Sequence, residues 1–235
     1  MRTIRNTERL INAMNVLILL AIAAVYAVTG TEIGTDAAGK LSDQTVYRAG
    51  ADGKIALECL VTWDAEALSD IAETLTINDA DATFFVSGLW AKEHADELLK
   101  LSEAGFEIGT TGYDPSLDGD RETVMKDLNA AKRVIESVTG KTVRYYHAGR
   151  RDKTVSARAA KALGLVHVAE SADLLSARGA ADEIVSRASN ALDDGNLILI
   201  EPTSAVKTAL PLLIQLFRAN GLNPTSVGSI LKGEA

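Results

Sequence analysis

The sequence predicts an α/β domain, a distorted (β/α) barrel of about seven parallel strands, preceded by an N-terminal transmembrane helix. From Lys54 onward, short apolar runs alternate with amphipathic stretches of helical period, which calls for parallel strands joined by helical crossovers. The short runs are apolar at nearly every position, as expected of strands covered on both faces. Gly105, Gly140, Gly164, Gly195 and Gly221 each follow a helical stretch, where a left-handed residue ends the helix and a Cβ would be strained.

In chain order the expected strands are Ile55–Val61, Ala82–Val86, Phe106–Gly109, Val143–Tyr146, Leu165–Val168 and Leu197–Ile200. The expected helices are Ala65–Leu75, Ala91–Glu103, Arg121–Val138, Thr154–Leu163, Ala181–Leu192 and Ser204–Asn220. Asp64 stands just before the first of them as an N-cap. Units of this kind suit a closed or nearly closed barrel, in which functional loops follow the strand C-termini.

Ahead of the barrel, Arg2, Arg5 and Arg9 precede a stretch from Leu10 to Val28 that only Asn12 and Asn15 interrupt. About 20 apolar residues cross a bilayer. The arginines favour an N-terminus in the cytoplasm and a body outside. The domain boundaries are therefore 1–9 cytoplasmic, 10–28 transmembrane, 29–53 linker with a short strand near Val46 and Tyr47, and 54–235 the barrel. A secretion signal cleaved after "VYA", residues Val25 to Ala27, is the rival reading, and either one exports the body.

Composition narrows the function. With 32 acidic and 24 basic residues the formal charge is -8, a surface that repels nucleic acid. Cys59 is the single cysteine, so no disulfide framework and no cysteine-rich zinc site is expected. The expected partners are the membrane, through the N-terminal helix, and a cell-wall glycan or an envelope protein. The oligomeric state is not encoded in any visible pattern.

The segments "KIALECLVTWDAEALSDIAETL", "ADATFFVSGLWAKEHADELLKLSEAGFEIG" and "AAKRVIESVTGKTVRYYHAG" resemble, in order and spacing, the polysaccharide deacetylase family, or NodB-homology domain. "ATFFVSG" is the most specific stretch, and Trp63 after the first strand is similar to the membrane-anchored branch of spore-forming bacteria. The resemblance covers Lys54 to about Leu231. It implies removal of acetyl groups from N-acetylated sugars with a divalent metal such as zinc, an aspartate base and a histidine acid. A metal lowers the pKa of its bound water and a carboxylate takes the proton.

Carried onto this chain, those roles fall on residues that cannot perform them. The base falls at Leu60, and a neighbouring metal aspartate at Val61. The His-x-x-x-His pair falls at Thr111 and Pro115 within "EIGTTGYDPSL". The Arg-Pro-Pro motif falls on His147 to Gly149, and the acid histidine on Glu201. Leucine and valine neither take a proton nor bind a hard cation, and proline has no side-chain donor atom. The resemblance therefore implies a fold kept with its catalytic and metal motifs lost, and neither a catalytic residue nor a cofactor is expected. A hydrolase of altered chemistry is the alternative.

The polar and aromatic residues of the same loops remain as candidates for ligand binding: Trp63, Asp64, Tyr113, Asp114, His147 and Glu201. Aromatic faces on a rim stack on sugar rings, or else pack across the barrel mouth. Asp114 before Pro115 is an ordinary turn pair, His147 a core or rim histidine, and Glu201 a cap for the last helix. Asp173 is a weaker candidate. His94 is expected on an exposed helix face, and His167 as a hydrogen-bonded core residue. "RRDK", Arg150 to Lys153, reads as a solvated basic turn that could meet an acidic partner.

Overall fold

Strand β1 (Lys54–Val61) sits in the middle of the sheet, and its alternation sorts the core into two layers. Ile55, Leu57, Cys59 and Val61 join the outer cluster against the helices. Ala56 and Leu60 point the other way, into an inner cluster with Phe85, Tyr145, Leu199 and Val227. That two-residue period is the pleat of a strand covered on both faces. The computed structural model describes residues 44–50, 52–63, 65–174 and 179–231, all within one unit.

The other described strands are β2 (Thr83–Val86), β3 (Glu107–Thr110), β4 (Tyr145–His147), β5 (Val166–Val168), β6 (Ala172–Asp173), β7 (Leu197–Ile200) and β8 (Asn223–Thr225). Their order is β5-β4-β3-β2-β1-β7-β6, with β8 beside the start of β1. All of these pairings are parallel. The result is a curled half-barrel of parallel strands, in line with the distorted barrel expected and more open than a closed one.

The expected linker to residue 53 is corrected at its end, because residues 44–50 lie against the open edge of the sheet. Val46 donates to the His167 carbonyl and accepts from the Ala169 amide, both at 2.9 Å, and Ala49 donates to the Gly195 carbonyl at 3.0 Å. This strap ties β5 to the start of β7 and satisfies backbone groups that an open edge would leave bare. The expected membrane helix at 10–28 lies outside the described residues, as does Asp64. Among the described residues no helix is long and apolar enough to cross a membrane.

Helices α1 (Leu68–Ile77), α2 (Gly88–Glu93), α3 (Ala95–Glu103), α4 (Arg121–Thr139), α5 (Lys153–Ala162), α6 (Ala181–Ala188) and α7 (Ser204–Ala219) alternate with the strands. Side-chain caps set several starts: Asp120 accepts from the Thr123 amide, Asp152 from Val155 and Thr203 from Val206. Glu201, expected to cap the last long helix, is thus displaced by Thr203. The single helix expected over Ala91–Glu103 is broken at His94, whose φ of -122° and ψ of 45° leave the helical region. His94 is half-buried, and its ring stacks on Trp90 at 5.1 Å between centroids. A short α8 (Val227–Leu231) plugs the lower interior with Val227 and Ile230.

Candidate functional site

A cleft of about 570 Å³ opens at the C-terminal ends of β1, β3, β4 and β7, the rim where a parallel barrel builds its sites. Leu60, Thr62 and Trp63 come from the end of β1, and Thr111 and Pro115 to Asp118 from the loop after β3. Ala148 to Arg151 follow β4, and Glu201 follows β7. Trp63 is 57% exposed, so its ring does not pack across the mouth but stands open beside the cleft.

The loop after β3 is held from behind. Asp127 of α4 accepts from the amides of Tyr113 and Asp114, both at 2.9 Å. Arg151 pairs with that carboxylate at 3.1 Å. Its guanidinium also donates to the carbonyls of Leu117 at 2.6 Å, Thr111 at 2.5 Å, and Asp114. Burial is the largest influence on Asp127 and raises its pKa, against the loop amides and Arg151, which lower it. Gly112 adopts φ +93°, and a Cβ there would collide with both members of the pair. A glycine is required at this point.

Beneath the cleft lies a second group of charges. Glu58 shares the inward face of β1 with Ala56 and Leu60, and it is completely buried. Neither of its carboxyl oxygens has a hydrogen-bond partner. His147 Nε2 is 4.0 Å away, too long for a hydrogen bond, and lies 3.0 Å from Glu170 instead. His147 Nδ1 accepts from the Gly149 amide, so Nε2 carries the ring proton and donates it to Glu170. Lys153 reaches the other oxygen of Glu170 at 3.3 Å.

Burial pushes the Glu58 carboxyl up to about 7. His147 and Lys153 oppose the shift, and Glu170 adds to it. Burial would also raise Glu170, but the hydrogen bond from His147, with further help from Lys153, brings it down to about 2. His167, buried and facing His147, falls to about 3. Its Nδ1 meets the Thr45 hydroxyl at 2.8 Å, while Nε2 has no partner.

Of the sequence-predicted positions, the fold brings Leu60, Trp63, Thr111, Pro115 and Glu201 to one cleft. Val61 is corrected: it faces the helices, so a carboxylate placed there would not line the cleft. For His147 the ligand-binding reading is corrected and the core alternative holds, since it sits in the interior with both ring nitrogens engaged. Tyr113 and Asp114 are not among the cleft-lining residues. The Tyr113 ring packs on Gly88, where a Cβ would overlap it. Asp114 turns its Oδ1 to the amide and hydroxyl of Ser116, at 2.9 and 2.7 Å, and these bonds lower its pKa. Asp173 lies on exposed β6. The solvated reading of "RRDK" fails at Arg151, which is buried.

Sequence reasoning missed three residues that matter here: Glu58, Asp127 and Glu170. The signal for Glu58 was visible, since an acidic residue interrupts the otherwise apolar "IALECLV". Asp127 gave less away, because one acidic residue on an amphipathic helix reads as solvent-facing.

Comparison with known proteins agrees with this geometry. The family model for polysaccharide deacetylase matches residues 52–168. The Bacillus anthracis protein BA3943, described as a CE4 family pseudoenzyme, superimposes with a TM-score of 0.75 at 25% identity, over 81% of this chain and 70% of its own. The family model and the structural neighbours together support a polysaccharide deacetylase domain in this chain. A mutant of BA3943, described as having restored enzymatic activity, matches with the same TM-score of 0.75 and 25% identity, over 81% of this chain and 72% of that one. The Bacillus subtilis protein YlxY is 23% identical over 188 residues, 77% of this chain. The chain spans 58% of the length of that relative.

The deacetylase family implies a divalent metal at this rim, and the residues present do not fit one. The cleft offers the hydroxyls of Thr62, Thr111 and Ser116, the carboxylates of Asp118 and Glu201, and two guanidinium groups, but no imidazole. Among the described residues no three His, Cys, Asp or Glu side chains gather as a metal site. Hydroxyls and scattered carboxylates make a poor first-row metal site, and a buried guanidinium beside them repels a cation.

Proposed function

We propose that this chain is a non-catalytic, membrane-tethered protein of the cell envelope that uses the deacetylase fold to bind glycan. The carrying observation is the cleft itself. It keeps a sugar-sized volume, an open tryptophan face and several hydroxyl and charged groups, while Leu60 stands at the position of the base. An apolar surface with a few placed polar groups is what carbohydrate recognition needs. The similarity to BA3943, a pseudoenzyme, supports the same reading. Tethering rests on the arginine-flanked apolar stretch at 10–28.

The alternative is a divergent hydrolase acting on N-acetylated wall polysaccharide, which the carboxylate of Glu201 in the cleft keeps open. Titration of the full chain with chito-oligosaccharide and with peptidoglycan fragments, beside an acetate-release assay, separates the two. Binding without acetate release is expected. Acetate release that Glu201→Gln abolishes would establish the hydrolase, and absence of any glycan binding would remove the lectin-like role. Recovery of the chain in the membrane fraction with residues 10–28 retained is expected as well. A soluble species beginning near Val28 would show signal cleavage instead.

A further inference from the structure

Arg151 brings a positive charge to the cleft wall and commits nearly all of its donors to one loop. Its Nε and both terminal nitrogens reach carbonyls of Leu117, Thr111 and Asp114, and one of them also meets Asp127. Asp127 in turn fixes the amides of Tyr113 and Asp114. The two side chains, each 4% exposed, hold the start, middle and end of the segment from Thr111 to Leu117. A planar fork of donors suits this work, because one guanidinium can address several acceptors at fixed angles. The loop it holds carries Thr111 and Pro115, the two positions onto which the family's histidine pair falls.

We propose that Arg151 is the resident cation of this rim: it organises the loop after β3 from within the protein and keeps a divalent ion out of the cleft. A metal draws a loop together by collecting ligands from it. Here the backbone carbonyls are already collected by the guanidinium, and the loop needs no ion. Arg151 lines the cleft and its carboxylate partner Asp127 does not, so a divalent cation entering would meet the positive end of the ion pair first. Restoring ligands alone would therefore leave the site weak. This inference goes beyond the glycan reading and stands or falls separately from it, because its readouts are zinc affinity and loop protection rather than sugar binding.

Two experiments on the full-length chain test it. The first compares zinc binding by a ligand-restored variant (Leu60→Asp, Thr111→His, Pro115→His, Glu201→His) with the same variant carrying Arg151→Met. Zinc binding at least tenfold tighter in the Arg151→Met version is expected, and equal affinities would overturn the proposal. The second needs no restored site. Amide hydrogen exchange in Arg151→Met should accelerate over residues 111–117 by at least tenfold more than over β2, beyond what the loss of global stability gives to both. Arg151→Lys should behave similarly, since one ammonium cannot span three carbonyls and a carboxylate. Unchanged loop exchange, or an equal acceleration throughout the sheet, would overturn the proposal even where the ligand-restored variants fail to fold.

Discussion

Arg151 and Glu58 are both buried charged residues of one half-barrel, the first at its mouth and the second in its interior. Arg151 has a carboxylate and three carbonyls around it. Glu58 has no hydrogen-bond partner for either oxygen and only a histidine at 4.0 Å whose proton goes elsewhere. The difference shows how each site meets the cost of burial. At the mouth, partners are supplied and the charge is kept, which fixes a loop. In the interior no donor is supplied, and burial raises the carboxyl's pKa to about 7, which favours the neutral form.

Removing a partner at the mouth should have the largest effect. Arg151→Met is expected to destabilise the fold by about 3–5 kcal/mol, because it leaves Asp127 buried without its counter-charge. Denaturant unfolding of Arg151→Met, Asp127→Asn and the double variant checks this. Strict additivity of the two single effects would mean that the pair is not coupled.

The interior predicts a pH dependence. The folded Glu58 pKa of about 7 exceeds its ordinary value of 4.5, so the folded chain holds the extra proton between those limits. The stability it contributes is present below pH 4.5 and is lost as pH rises through 7, about 3 kcal/mol in all. His167, depressed from 6.5 to about 3, acts oppositely: its contribution is present above 6.5 and lost as pH falls through 3. Glu170, lowered from 4.5 to about 2, loses its contribution as pH falls through 2. Glu58→Gln should therefore flatten the decline between pH 4.5 and 8 while leaving the acid limb in place. An unchanged profile would show that Glu58 is charged in the folded state.

Neighbouring substitutions on β1 sharpen the contrast between its two faces. Val61→Asp places a carboxylate against the helices with no donor and should cost roughly 2 kcal/mol more than Leu60→Asp, whose side chain reaches the cleft. Thermal melts of the two variants measure this. The smallest stability effect is expected at Trp63→Ala, within about 0.5 kcal/mol because the ring is open to solvent. Glycan binding should nevertheless weaken about tenfold, roughly 1.4 kcal/mol. Unchanged affinity in that titration would take Trp63 out of the binding surface.

Much of the cleft is legible in the sequence. Leu60, Trp63, Thr111, Pro115 and Glu201 follow strand ends, and parallel strands deliver their ends to one rim whatever the side chains are. For His147 the sequence left core and rim both open, and the structure decides for the core because the residue belongs to β4 itself, with its side chain turned into the interior. Tyr113 and Asp114 leave the binding set for another reason, Asp114 taking the turn role that its place before Pro115 offered. Contacts with Gly88 and Ser116, made by the folded loop, draw them to local partners.

By itself the sequence determined the alternation of strands and helices, the parallel sheet, and which residue types stand at the rim positions. Each of those follows from local pattern: apolar period, glycine after a helix, and side-chain chemistry at a fixed position. Only the tertiary structure decided that residues 44–50 strap the open edge, that Val61 turns away from the cleft, and that Arg151 and Asp127 meet across 24 positions of chain. It also decided that Glu58 lies sealed beneath Leu60 without a donor. A charged residue has no preferred surroundings written into its neighbours. Whether it is solvated, paired or forced neutral depends on which distant groups the sheet brings within reach.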